Sequence, residues 1–447
     1  MYEIVLEFFK NSQGSMLRQY VIKGVSGTFA MRILSILFSI ATTFLLARVL
    51  TTGGYGSYAY ALAWANLLYI PAMLGFDKLL VRETAISIQH DNWGVLRGII
   101  RWTNVSCVLI SIAVGCSLVV ITELIATDAN RDKVSAIAVA SVLIPVMSLT
   151  GLRRATLRGL GHVVIGQVPE TIIRPILLII SIIAIAILVP DKINTRTALI
   201  ANVFAASVAF IVGSFLLVSR VPSSVKTARP IFQARNWVKS AFPLLFLGVL
   251  QIANAQISTL ILGIFHPAEV VGQYAIAVQV SSIGSFFLLS FNAVLAPMIA
   301  RLYSINELNR LQRLVTRSSW FMCLLTLPAV LCFVFFGKTI LGLFGSDYAG
   351  GYTALVILSA GVLFSSTMGS VGLLLTMTHN ERYAARIIGW LFLTNIALSF
   401  FLVPKFGTVG AASAATTYLI LSNILLGVFV FRRTKIVPSI FGNPAIQ

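Results

Sequence analysis

Apolar runs of about twenty residues, separated by short polar turns, recur from residue 25 to residue 431. A helix of that length crosses roughly 30 Å of hydrocarbon, so each run predicts a membrane span. The first six predicted helices cover 25–49, 55–77, 102–125, 134–152, 167–189 and 197–219. The next six cover 240–264, 272–297, 318–342, 353–377, 385–403 and 409–431. Turn residues separate most of them, as in Thr51-Thr52-Gly53-Gly54, Pro190-Asp191, His266-Pro267 and Gly345-Ser346-Asp347. Pro71, Pro145, Pro175, Pro297 and Pro328 fall within spans and are expected to kink them.

Composition points the same way. The chain is 58% hydrophobic and 11% charged, with mean hydropathy +0.93. A soluble chain spends about a quarter of its residues on charge. The expected fold class is an all-α integral membrane protein of about 12 transmembrane helices, since helices satisfy every backbone polar group internally. A net charge of +19 would suggest nucleic acid in a soluble protein. Here most of the 33 Lys and Arg fall at the termini and in the even-numbered loops. The positive-inside rule therefore places both termini in the cytoplasm, and no nucleic-acid partner is expected. Residues Met1 to Lys23 lack the pattern of a secretory signal.

The stretch Gly56-Ser57-Tyr58-Ala59-Tyr60-Ala61 returns as Gly272-Gln273-Tyr274-Ala275-Ile276-Ala277. The same offset of 216 residues carries Arg97 onto Arg313, Arg101 onto Arg317, Cys107 onto Cys323 and Cys116 onto Cys332. This predicts two parallel six-helix repeats related by an axis along the membrane normal. The expected organisation is a cytoplasmic N-terminal segment (1–24), a first bundle (25–219), a basic cytoplasmic linker (220–239), a second bundle (240–431) and a cytoplasmic tail (432–447). The linker's charge suits anionic lipid headgroups as well as topology signalling. All four cysteines lie in predicted spans and read as small buried apolar residues.

Charge inside a bilayer costs about 2.5–3.5 kcal/mol on insertion scales, so buried charges mark candidate sites. Arg32 heads a polar face of the first helix that continues with Ser35, Ser39 and Thr42. The seventh helix offers Gln251, Asn254 and Ser258 at similar spacing. These stripes fit either a wet cleft or interhelical hydrogen bonds, and Arg32 fits either a ligand or a snorkelling side chain. In Pro169-Glu170-Thr171-Ile172-Ile173-Arg174-Pro175, Glu170 and Arg174 stand one turn apart and predict an ion pair. The pair is either self-contained, or releases Arg174 to an anionic ligand while Glu170 titrates. Asp77 is a candidate partner of Arg32 or Arg174. Substrate-binding candidates are thus Arg32, Arg174, Ser35, Thr42, Gln251 and Asn254, and ion-coupling candidates are Glu170 and Asp77. The charged candidates Arg32, Asp77, Glu170 and Arg174 lie toward the cytoplasmic side by this topology, which suits a phosphate-bearing ligand held by planar guanidinium forks. No HExxH, nucleophile elbow, P-loop or metal cluster occurs, so no metal, cofactor or enzymatic activity is expected. Without a nucleotide-binding element, energy must come from an ion gradient or the substrate gradient.

The passage from Leu46 to Tyr58 (Leu46-Ala47-Arg48-Val49-Leu50-Thr51-Thr52-Gly53-Gly54-Tyr55-Gly56-Ser57-Tyr58), Gly75-Phe76-Asp77 and Leu80-Val81-Arg82-Glu83 resembles the start of Wzx-type polysaccharide flippases. These belong to the multidrug/oligosaccharidyl-lipid/polysaccharide (MOP) exporter superfamily. Gly272-Gln273-Tyr274-Ala275, Ala296-Pro297-Met298-Ile299-Ala300-Arg301 and Leu343-Phe344-Gly345-Ser346-Asp347-Tyr348 extend the resemblance over nearly the whole chain. It implies a V-shaped alternating-access transporter in the bacterial cytoplasmic (inner) membrane. The implied cargo is an undecaprenyl-diphosphate-linked oligosaccharide, flipped outward for O-antigen or exopolysaccharide assembly. Implied partners are the lipid-linked oligosaccharide, membrane lipids, a coupling proton or sodium ion, and polysaccharide polymerase and chain-length proteins. Arg32 and Arg174 are the diphosphate ligands it implies, whereas Arg48 sits at the outer end of its helix. The lipid-II flippases of the superfamily usually have two further helices.

Two alternatives use the same residues differently. A cation-coupled multidrug exporter would favour an acidic pocket over Arg32 and Arg174. A membrane-bound polymerase or glycosyltransferase would need a large outer loop or clustered acids, which the short outer loops do not supply. The topology is checked by a reporter fused after Gln447: a cytoplasmic signal is expected, and an extracytoplasmic one overturns the parallel repeat.

Overall fold

In the computed structural model, residues 15–126, 131–378 and 381–442 are described; residues 1–14 of the N-terminal segment and 443–447 of the tail lie outside them. Their regular structure is entirely helical. Among the described residues, nine helices are long and apolar enough to cross a membrane, or ten if one bent pair is a single span. One of the nine, Tyr383–Thr434, is 52 residues long, far more than one crossing needs. It doubles back at Gly407, whose φ of 52° and ψ of −125° only glycine adopts readily. A Cβ on Gly410 would sit 2.3 Å from the Leu402 carbonyl oxygen, which shows how tight the reversal is. The break falls between the predicted ends at 403 and 409.

The helices form two compact units. The first comprises Ala30–Gly263 and Pro267–Gly272. It holds α1 (Ser15–Val49) from Ala30 onward, α2 (Thr52–Met73), α3 (Phe76–Gln89), α4 (Trp93–Leu124), α5 (Arg131–Ser141) and α6 (Leu143–Gly159). After a wide turn at Pro169–Ile173 come α7 (Arg174–Leu188), α8 (Thr195–Arg220), the short α9 (Ser223–Thr227) and α10 (Ala234–Phe265) up to Gly263. Its core gathers Phe76, Leu79, Leu96, Ile99, Leu152 and Trp237. Trp102 links the rings of Phe76 and Trp237, with centroids 5.1 and 5.6 Å away. The second unit contains Ile264–His266 and the chain from Gln273. Its helices are α11 (Ala268–Ser304), α12 (Leu308–Phe344), α13 (Tyr352–Met368), α14 (Val371–Met377) and α15 (Glu381–Thr434).

Several predicted spans gain breaks. The second ends at Met73 because Leu74 and Gly75 both take positive φ, and α3 leaves at 42° to α2. Asp77 therefore stands on the first turn of α3 rather than at the end of the second span. The tenth breaks at Gly369, where φ is 70°. The cysteine expectation holds only for Cys107. Cys116 and Cys332 are exposed and Cys323 is half-buried. In a bilayer an apolar thiol gains little from burial, because lipid is as apolar as the protein interior.

The segment after each set of six predicted spans is tied down. Following α9, the Ile231 amide donates to the Gly94 carbonyl at 2.9 Å, and the Arg97 guanidinium donates to the Ala228 carbonyl at 2.6 Å. A Cβ on Gly98 would lie 2.0 Å from the Ile231 carbonyl oxygen. Following α15, the Gln312 side chain donates to the Val437 carbonyl at 2.9 Å and accepts from the Val437 amide at 2.8 Å. Trp320 donates to the Ile440 carbonyl at 3.0 Å. Each strap thus returns to the start of a corresponding helix, α4 or α12.

Within the first unit, Thr52 and Gly56 meet Ala268 and Gly272, the residues 216 positions later. A Cβ on Gly56 would fall 1.7 Å from the Ala268 carbonyl oxygen, and one on Gly272 would fall 2.5 Å from the Thr52 carbonyl oxygen. The contact is reciprocal. It is the close backbone approach that small-xxx-small sequences permit where hydrophobic association is weak. Gly56→Val and Gly272→Val are each expected to lower the apparent Tm of detergent-solubilised protein sharply. Gly342→Ala, with no atom within 4 Å of its added methyl, should be neutral or stabilising. Equal Tm for all three proteins would show that the contact is dispensable.

Candidate functional site

The wide turn at Pro169–Ile173 is a π-turn, and its cause is Pro175. Proline has no N–H for the Thr171 carbonyl, and its ring clashes with that carbonyl in a regular helix. The backbone widens, and the Arg174 amide reaches back five residues to the Pro169 carbonyl. Such turns often occur at functional sites. Here the turn brings Glu170 and Arg174 together as the predicted ion pair, Arg174 Nη1 to Glu170 Oε1. Arg174 Nε and Nη2 both donate to Asn202 Oδ1 on α8, at 3.2 and 3.0 Å. Asn202 is buried and passes its Nδ2 hydrogen to the Tyr58 hydroxyl on α2 at 2.8 Å.

The result is a chain of polar groups from α7 through α8 to α2. Arg174 is held on one side by charge and on the other by an amide. Neither Asn202 nor Tyr58 was among the sequence candidates. The available signals were an amide in an apolar span and the tyrosine of the repeated glycine-tyrosine stretch.

Tyr69, lower on α2, lies within electrostatic reach of Arg154, Glu170, Asp77 and Arg174, so these groups share one polar neighbourhood. Asp77 is half-buried and makes no ion pair among the described residues. The carboxylate on Arg174 is that of Glu170. A further arginine, Arg153, is on a helix, because α6 continues past the predicted span end at 152 to Gly159. Its guanidinium donates to Asn104 Oδ1 and to Ser214 Oγ at 3.2 Å, and stands 5.3 Å from the Phe210 ring centroid.

On α1, Arg32 is half-buried and has no hydrogen bond or ion pair among the described residues. Ser35 is exposed, and the Thr42 hydroxyl donates to the Phe38 carbonyl at 2.7 Å. On α10, Gln251 is exposed, while Asn254 Nδ2 donates to the Leu250 carbonyl at 2.9 Å. Thr42 and Asn254 thus each hydrogen-bond along their own helix. The buried Ser258 hydroxyl has no partner among the described residues. No cluster of metal-ligating side chains occurs among the described residues.

Two guanidiniums therefore differ in kind. Arg174 is satisfied by protein, whereas Arg32 has no hydrogen bond or ion pair among the described residues. Removing one partner of a fully buried ion pair costs about 3–5 kcal/mol, mainly because the other charge is left uncompensated, and the half-buried Glu170–Arg174 pair follows the same logic at smaller cost. Glu170→Ala should therefore lower the apparent Tm more than the double change Glu170→Ala with Arg174→Ala. A double variant at least as unstable as the single one would show that the pair contributes more than mutual neutralisation.

The chain matches the polysaccharide biosynthesis protein family over residues 21–303 and the MatE family over residues 243–401. It is 27% identical over 204 residues to the probable low-salt glycan biosynthesis flippase Agl15 of Haloferax volcanii, covering 45% of this chain and 42% of that protein. It is 31% identical over 179 residues to the probable flippase AglR of the same organism, covering 39% and 37%. The matches thus span less than half the length of either relative. Two solved structures share the fold. An inward-facing MATE-family multidrug resistance transporter of the MOP superfamily superposes with TM-score 0.71 at 13% identity, covering 90% of this chain and 98% of its own. The lipid II flippase MurJ, in an inward closed conformation, gives 0.68 at 16%, covering 92% and 87%. With the family match spanning more than half its length, this chain belongs to the polysaccharide biosynthesis protein family and has the all-helical fold of MOP-superfamily transporters.

Proposed function

We propose that this protein is a flippase. It moves an undecaprenyl-diphosphate-linked oligosaccharide from the inner to the outer leaflet of the bacterial cytoplasmic membrane by alternating access, for O-antigen or exopolysaccharide assembly. The observation that carries this reading is Arg32: a half-buried guanidinium on a polar helix face, without a protein partner among the described residues. A cation left uncompensated in a membrane helix is costly, and an anionic ligand removes that cost. The planar guanidinium matches a diphosphate, and its hydrogen bonds strengthen where water is scarce. The family match and the names of the two Haloferax relatives support the same class of cargo.

In this reading Arg174 is the second ligand and exchanges Glu170 for the diphosphate. The released Glu170 carboxylate takes up a proton, which returns when the ion pair re-forms. Asp77 is the second carboxylate available to a coupling proton or sodium ion. The exporter alternative draws on the MatE match and the MATE-like fold, but Arg32, unpaired among the described residues, disfavours a cationic drug by like-charge repulsion.

A charge-assisted hydrogen bond is worth about 1.5–3 kcal/mol, roughly ten- to a hundredfold in binding. Arg32→Ala should therefore reduce surface polysaccharide at matched expression, and Arg32→Lys should restore part of it, keeping the charge but losing the fork. Unchanged polysaccharide in Arg32→Ala would remove Arg32 as a diphosphate ligand. Resistance to cationic drugs that depends on this protein would favour the exporter.

A further inference from the structure

We propose that the strap joining α8 to α10 is a docking surface for an anionic phospholipid leaflet, independent of the cargo site. Its backbone is fixed, not loose. Ile231 pairs with Gly94, Arg97 holds the Ala228 carbonyl, and Gly94 and Gly98 have no side chains to keep the strap away. At its far end the buried Trp237 ring packs on Trp102 and anchors the start of α10.

That anchorage places the strap at a membrane surface. The helix α4 has 32 residues and so extends about 48 Å, well beyond roughly 30 Å of hydrocarbon. The strap grips its first two turns, where the helix emerges into the headgroup region. Tryptophans concentrate at that depth.

What the strap presents outward fits such a surface. Lys226, Arg229, Arg235 and Lys239 are exposed, and none makes an ion pair or hydrogen bond among the described residues. Between them Ile231 and Phe232 are 53% and 56% exposed. Unpaired cations interleaved with apolar side chains match a sheet of phosphates over acyl chains. Because the backbone is already ordered, docking costs little conformational entropy. The C-terminal strap of the second unit likewise carries an outward apolar side chain, Phe441, which is 83% exposed. Simple topology signalling requires cations in this loop, but neither a fixed backbone nor outward-facing Ile231 and Phe232.

The test compares full-length protein in nanodiscs of phosphatidylcholine alone and with added phosphatidylglycerol. The wild type should show a higher apparent Tm in the anionic discs, with the difference shrinking as salt rises. The variant Lys226→Gln/Arg229→Gln/Arg235→Gln/Lys239→Gln should match the wild type in neutral discs and lose the difference. Phe232→Trp should add fluorescence that brominated phosphatidylglycerol quenches. No lipid dependence in the wild type, or the same dependence in the fourfold variant, would overturn the proposal. So would soluble polyglutamate reproducing the stabilisation in neutral discs, which would point to an acidic protein partner instead.

Discussion

The contact between Thr52–Gly56 and Ala268–Gly272 sets a limit on everything around it. Inside a bilayer, apolar surface gains little by leaving lipid for protein, so helices associate through close approach and polar pairing. Two glycines allow two backbones to meet where any other residue would hold them apart. The start of α11 thereby becomes part of the first unit, beside the start of α2. Nearby, the end of α10 is held in the same way. Gly263 lies against the Tyr60 ring, and the Lys133 ammonium donates to the Gly263 carbonyl at 2.8 Å. A cation at a helix C-terminus also favours the helix dipole.

Polar groups are handled by the same economy. Glu170, Arg174, Asn202 and Tyr58 form a chain in which every member has a partner, and the π-turn forced by Pro175 brings its first two members together. Arg153 is treated likewise, by an amide, a hydroxyl and an aromatic face. Against this background the lack of a partner for Arg32 is informative. Arg153 and Arg174, half-buried like Arg32, are satisfied by protein, whereas Arg32 has no hydrogen bond or ion pair among the described residues.

The straps extend the internal repeat beyond what residue identity records. Under the offset, Leu96 corresponds to Gln312, and the glycines that receive the first strap have no glycine counterparts in α12. Yet both straps return to the first turns of the corresponding helix. One uses bare backbone and an arginine, the other a glutamine side chain that bonds both ways. The architecture persists although the interactions that hold it have changed.

Apolar periodicity was enough to determine a multi-span helical protein, because a bilayer admits few other ways to satisfy a backbone. The repeated glycine-tyrosine stretch marked the duplicated architecture, and the spacing of Glu170 and Arg174 was enough for their ion pair. Tertiary structure alone decided that Arg174 is engaged by Asn202, that Asp77 begins a new helix after Gly75, and that Gly56 and Gly272 touch. It also decided that two segments reading as linker and tail are straps. The division has a physical reason. Span length and local pairing depend on residues within a turn or two, whereas partners such as Asn202, Tyr58 and Ile231 come from helices and loops distant in the chain.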